Sequence, residues 1–213
     1  MQRRWIFSSD ADPVVVQAVQ RELSIPAFLA RILVNRGFSE PVDADTYLNP
    51  KLRALSAPEL LPDMVLARDR VLAAIQRKER VVLYGDYDVD GTTSLAILAR
   101  IFRAYGVDVG CFLPLRFEEG YGLSEAGLKR CCDLHNPQLL IAVDCGTTSV
   151  SQIAQLKRSG VDVVVLDHHE LASERPDCVA LVNPKCGDDF HYLCSAGVVF
   201  KLVHALLKSQ PVP

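Results

Sequence analysis

The 213-residue sequence predicts an α/β fold: a parallel sheet flanked by helices, preceded by a small helical N-terminal extension. Three observations carry this expectation. From residue 80 onward, short β-branched runs alternate with helix-length segments. Before that point the patterns are helical. Finally, three polar clusters follow three of the β-branched runs directly, where open parallel sheets present their ligand-binding turns.

Residues 1–78 read as the helical extension. Pro26–Arg36 has a proline near its start and Gly37 just past its end, the asymmetry that helices prefer. Ser39 followed by Pro41 opens a further short helix ending near Leu48. Asn49–Pro62 contains Pro50, Pro58 and Pro62 and reads as an irregular linker. Asp63–Lys78 carries Val65, Leu66, Val71, Leu72 and Ile75 at near-helical spacing, with Asp63 as the expected N-cap. Residues 79–213 then form the second domain. Its expected strands are Val81–Tyr84, Val107–Leu113, Leu139–Val143, Val161–Leu166 and Val179–Val182. The expected helices are Thr92–Ala104, Ser124–Cys132, Val150–Ser159 and Ala196–Lys208.

Bulk properties narrow the function classes. No apolar run approaches the ~18 uncharged residues of a membrane span, so no membrane association is expected. The start, Met-Gln-Arg-Arg-Trp, is basic, but Asp10 and Asp12 stand where a signal peptide is apolar, and a cytoplasmic protein is expected. A net charge of −3 argues against a basic surface that coats nucleic acid. It leaves room for a phosphoesterase, because metals on acidic residues supply positive potential of their own. The seven cysteines are an odd number, and Cys111 and Cys145 lie in apolar context, as reduced buried thiols do. A structural zinc at Cys186, His191 and Cys194 would lack any Cys-x-x-Cys pair.

The chemistry concentrates in the three clusters. Tyr84-Gly-Asp-Tyr-Asp-Val-Asp-Gly91 brings Asp86, Asp88 and Asp90 together, and like charges this close call for a counter-cation. The spacing imitates the first half of an EF-hand loop, but the twelfth position is Ile97 where a bidentate Glu belongs. Asp144, in Ala-Val-Asp-Cys-Gly-Thr-Thr, could simply cap the next helix. Gly146 and the hydroxyls of Thr147, Thr148 and Ser149 also suit close approach of a phosphate. Asp167-His168-His169 is the most discriminating element, because one imidazole can ligate a metal while the next contacts phosphate or donates a proton. In the loop from Leu113 to Ser124, Arg116 could hold a phosphate and Tyr121 could stack on a base. An ordinary loop before a Ser-capped helix fits those residues equally well. His135, His191 and His204 read as structural. Carboxylates and imidazoles at three strand ends suit a site for hard divalent ions.

These motifs, in this order, resemble the DHH phosphoesterase superfamily, and most nearly its single-strand-specific 5′-to-3′ DNA exonucleases. Trp5, Asn35-Arg36-Gly37, Tyr47-Leu48-Asn49-Pro50, Gly85–Gly91, Arg116–Leu123 and Ala196–Leu202 all look like signatures of that branch. The resemblance implies a Rossmann-like DHH domain and two Mn2+ or Mg2+ ions. Asp88, Asp90, Asp144 and His168 would be ligands, with Asp144 as the bridge and His169 placed towards the scissile phosphate. Asp86 would either replace a histidine that some members carry where this chain has Tyr84, or stand behind the ligands. On this reading the catalytic residues are His169, Asp144 and Asp90; the metal ligands are Asp86, Asp88, Asp90, Asp144 and His168; and His169, Arg116 and Tyr121 bind substrate. The implied activity is hydrolysis of single-stranded DNA to 5′-mononucleotides in repair and recombination, with a helicase or single-strand-binding protein as possible partners. A short-oligonucleotide or cyclic-dinucleotide phosphodiesterase, or a binding module without catalysis, are the alternatives. Relatives of this branch carry a fourth metal-binding Asp and further domains beyond the position of Pro213, so an N-terminal fragment is expected.

Overall fold

The computed structural model describes residues 11–115 and 117–212. The chain divides into two compact units, residues 1–56 and 57–213. In the first unit, helix α1 (Pro13–Leu23) starts where the Asp12 side chain accepts a hydrogen bond from Val14 N at 2.8 Å. Proline at its first position leaves no amide to satisfy there. Helices α2 (Ala27–Asn35) and α3 (Pro41–Leu48) follow, and Val16, Val19, Ala30, Leu33 and Ala44 form a small core. Gly37, at φ +92°, ends α2 in the left-handed region, as its place in the sequence suggests.

The second unit contains the expected sheet. Strands β1 (Val81–Tyr84), β2 (Gly110–Phe112), β3 (Leu139–Val143), β4 (Asp162–Leu166) and β5 (Ala180–Val182) pair in the order β2-β1-β3-β4-β5, all parallel. The central strands are buried on both faces, which explains their unbroken apolar sequences. On one face lie α4 (Met64–Arg77), α5 (Val89–Ala104) and α8 (Ser195–Ser209), whose buried residues join Leu83, Ile141 and Leu166 in one core. On the other face, α6 (Glu125–His135) and α7 (Val150–Arg158) pack against Val82, Leu140 and Val163. The strand order reverses direction between β1 and β3, so their carboxyl ends flank the crevice where doubly wound sheets bind ligands.

Several boundaries differ from expectation. The units part at Ser56–Ala57, not after residue 78, because α4 buries Met64, Ala67, Val71 and Ala74 in the sheet's own core. Asp63 sits at the N-terminus of α4 but makes no cap. At φ +55° its carboxylate turns away to accept from Leu181 N at 3.0 Å and to pair with Arg175. The second strand shrinks from Val107–Leu113 to three residues at the sheet edge, and Cys111 on it is exposed, not buried. Every cysteine is free. Among the described residues no helix is long and apolar enough to cross a membrane.

Candidate metal centre

The turn after β1 distributes its three carboxylates among different tasks. Asp86 is buried, with 1 % of its surface exposed. Asp88 caps α5, its Oδ1 accepting from Gly91 N at 2.9 Å, and this hydrogen bond holds the carboxyl below its ordinary pKa. The cap starts α5 at Val89, three residues earlier than the sequence pattern suggests. Gly91 is required here: a Cβ would lie 2.5 Å from the Asp86 carbonyl oxygen, so a side chain cannot fit between helix and turn. Asp90 reaches across to α8, where its two oxygens accept from Ser195 N at 2.7 Å and Ala196 N at 2.8 Å. Cys194, at the N-cap position of α8, makes no side-chain cap of its own. Asp90 therefore supplies the negative charge that this helix terminus favours.

Asp144 follows β3 in the left-handed region, at φ +61°, a conformation that is costly for a side-chain-bearing residue and concentrates at functional sites. The turn lets its amide donate to Leu166 O at 3.0 Å while the carboxylate enters the crevice, 1 % exposed. Gly146, at φ +110°, completes the turn with a backbone that a side chain would strain. Asp144 Oδ1 has no hydrogen bond of good geometry, although His168 Nε2 lies 3.3 Å from it. Burial, together with the charges of Asp90 and Asp88, pushes the Asp144 carboxyl up to about 8.

The turn after β4 is organised around Asp167, also 1 % exposed. Its Oδ2 accepts from Thr147 N at 3.0 Å; its Oδ1 accepts from His168 N at 2.8 Å and lies 2.7 Å from His169 Nδ1. Burial alone would raise Asp167, but the bonds from His169 and Thr147 outweigh it and hold the carboxyl at about 2. The same pair raises the pKa of His169. With Nδ1 engaged, His169 directs Nε2 outward, 3.2 Å from the Tyr121 hydroxyl. Burial and the nearby charges of Asp86 and Asp144 raise Tyr121 in turn. His168 Nε2 faces Asp144 and, at 3.5 Å, Asp90 Oδ2.

The described residues thus converge as two donor sets. Ligand atoms of Asp86, Asp88 and Asp144 lie within 4.8 Å of one another, and so do those of Asp144, His168 and His169. Asp144 belongs to both. A buried carboxylate oxygen with no good donor, inside a cluster of carboxylates and imidazoles, suits a divalent cation. Beside His169 opens a cleft of about 230 Å³, lined by Tyr121, Gly146, Thr148, Ser149 and Gln152.

The sequence-derived residues fall into place unequally. Asp86, Asp88, Asp144, His168 and His169 come together; Asp90 stands next to them, occupied by α8. Tyr121 meets His169, and its ring contacts Tyr87 edge-on. Tyr84, which stands where a histidine ligand would be, points to the other face, where its hydroxyl donates to Gly122 O at 3.0 Å. Arg116 and Trp5 lie outside the described residues. His191 has its Nε2 2.7 Å from Gly187 O, a structural contact. Sequence reasoning misses the anchoring part of Asp167 and misses Asn183 entirely, which is fully buried and touches both Thr147 and the His169 carbonyl. The only signal is a polar residue ending an apolar strand.

Comparison with known proteins identifies the family and the fold. Residues 80–213 match the DHH family, N-terminal domain, and the chain belongs to that family. Among the relatives it matches is the single-stranded-DNA-specific exonuclease RecJ of Bacillus subtilis, 36 % identical over 212 residues, which covers 98 % of this chain and 27 % of the relative. A crystal structure of RecJ from Thermus thermophilus in complex with Mn2+ superposes with a TM-score of 0.77 at 29 % identity. It covers 96 % of this chain and 28 % of that one. A structure of exonuclease RecJ bound to manganese gives a TM-score of 0.68 at 34 % identity, over 75 % of this chain and 41 % of the other. The chain therefore spans about a quarter to a third of the length of the curated relatives it matches.

Proposed function

We propose that this chain carries the metal-binding part of a 5′-to-3′ exonuclease that hydrolyses single-stranded DNA to 5′-mononucleotides. The observation that carries the proposal is the sharing of Asp144 by two donor sets beside an outward-facing imidazole. Asp86, Asp88 and Asp144 would hold one Mn2+ or Mg2+ ion, and Asp144 and His168 a second, with Asp90 and the nearby His169 completing the surroundings. When bound, such ions neutralise phosphodiester charge and acidify water. The remaining work falls to the side chains. Asp167 keeps the proton on His169 Nδ1 and raises the basicity of the ring, so Nε2 can contact or protonate a phosphate oxygen. Tyr121, half exposed beside that nitrogen, offers a face for a base or a hydroxyl for the phosphate, and Arg116 is a candidate for the same role. The names of the relatives support single-stranded DNA as substrate. We further propose a cytoplasmic role in repair and recombination, with a helicase or single-strand-binding protein supplying the strand. The helical extension would be a domain separate from the DHH domain.

The test is release of nucleotides from 5′-labelled single-stranded DNA with Mn2+, comparing this chain with Asp144→Ala. Removing a carboxylate on which both donor sets rely forfeits several kcal/mol, a fall of about a thousandfold. Release by the parent and near-abolition in the variant would support the reading. Equal rates in both would sink it, as would hydrolysis confined to dinucleotides, which would favour a short-oligonucleotide phosphodiesterase.

A further inference from the structure

We propose that Asn183 is a positioning residue for His169, a role that deepens the reading in which His169 faces the substrate phosphate. The last bond of the sheet in this region joins Asp167 N to Val182 O at 3.1 Å. Beyond it the chain leaves the ladder, so the backbone of His169 must be held by side chains. Asn183, directly after β5, has none of its surface exposed. Its Nδ2 donates to His169 O at 3.0 Å and to Thr147 Oγ1 at 2.9 Å, while its Oδ1 accepts from Lys185 N at 2.9 Å. Thr147 N in turn donates to Asp167 Oδ2.

Three strand ends are thereby tied into one network: the Asp144 turn through Thr147, the His169 turn through Asp167 and the His169 carbonyl, and β5 through Asn183. Only a carboxamide supplies two donors and one acceptor at this point. An aspartate would set an oxygen against the His169 carbonyl, and leucine would leave that carbonyl and Lys185 N without partners. Asp167 sets the rotation of the imidazole through Nδ1; Asn183 fixes the main chain that carries it. The simpler reading, a buried asparagine that satisfies a turn and nothing more, predicts no effect on the ring.

The deciding measurement is imidazole NMR on this chain with 15N-labelled histidine, following solvent exchange of the His169 Nδ1 proton. In Asn183→Asp, where Thr147 can still donate to the new carboxylate, that proton is expected to exchange about tenfold faster, the equivalent of one lost hydrogen bond. Unchanged exchange and ring shifts in a folded Asn183→Asp would overturn the proposal. If that variant does not fold, the unmodified chain decides. The Asn183 Nδ2 protons and the His169 Nδ1 proton should then exchange through one common opening, with protection equal to within about twofold, and clearly different protection would overturn it. Neither readout involves turnover. A positive result would therefore leave the positioning role standing whether or not the chain releases nucleotides.

Discussion

The turns after β1 and β4 contribute to the same centre but are built in opposite ways. The first repeats one residue type three times and sends each copy elsewhere: Asp86 into the interior, Asp88 onto the first turn of α5, Asp90 onto the first turn of α8. The second uses an aspartate and two histidines and fastens them to one anchor, Asp167. Helix N-termini therefore stabilise much of the negative charge in the first turn, whereas hydrogen-bonded side chains hold the second. Asp144 lies between them with neither support for its Oδ1, and its pKa is raised. The contrast indicates that clustered charge and a need for a cation are separate properties, and that local partners decide which acid lacks compensation.

Among changes within the two turns, breaking the anchor of the second should have the largest consequence. Asp167→Asn is expected to slow nucleotide release by about 10- to 100-fold, the usual cost of losing a group that orients a histidine. It should also lower the pKa of His169 towards the ordinary value, readable by NMR titration. An unchanged rate and an unchanged titration would remove the distinction between the turns.

Asp144 and Asp167 should next give opposite pH dependences of stability in the chelated chain. Asp144 holds its proton more tightly when folded, so its contribution to stability is lost as pH rises from 3.8 through about 8. Asp167 holds its proton less tightly when folded. Its stabilisation is present above 3.8 and is lost as pH falls towards about 2. Thermal midpoints across that range should therefore fall on both sides, Mn2+ should restore the alkaline side, and Asp144→Asn should flatten it. A midpoint at pH 8 insensitive to Mn2+ would contradict the assignment.

The smallest effect is expected in the first turn. Asp90→Ala removes a cap worth about 1–2 kcal/mol, and each kcal/mol lowers the melting temperature by about 2–4 °C in a chain of this size. A loss of activity with no change in melting temperature would mean that Asp90 acts on a metal and not on α8.

Much of this architecture is legible in the sequence where burial is symmetrical. β1 and β3 occupy the expected residues, because strands covered on both faces read as unbroken apolar runs. The edge strand β2 is shorter than its sequence suggests, since Val107 and Val109 pack on the core without pairing in the ladder. The apolar stripe of α4 is visible, but a stripe does not say which surface it meets, and the helix packs in the sheet's own core within the unit that begins at Ala57. The motif residues stand out because unlike chemistry recurs at strand ends. Their separate tasks do not, because Asp90 meets α8 across 105 positions and Asn183 reaches Thr147 across 36. No local pattern encodes either contact.

The Asp90 bridge also bears on the order of maturation. The first amides of α8 are closed by a carboxylate more than a hundred residues earlier in the chain, so this bond forms only when α8 docks. The acidic turn and this face of the core therefore share one helix, α8. For a chain proposed to cut DNA, this is a form of quality control by folding: a nascent or damaged copy lacking α8 would lack the bond that settles Asp90 beside His168.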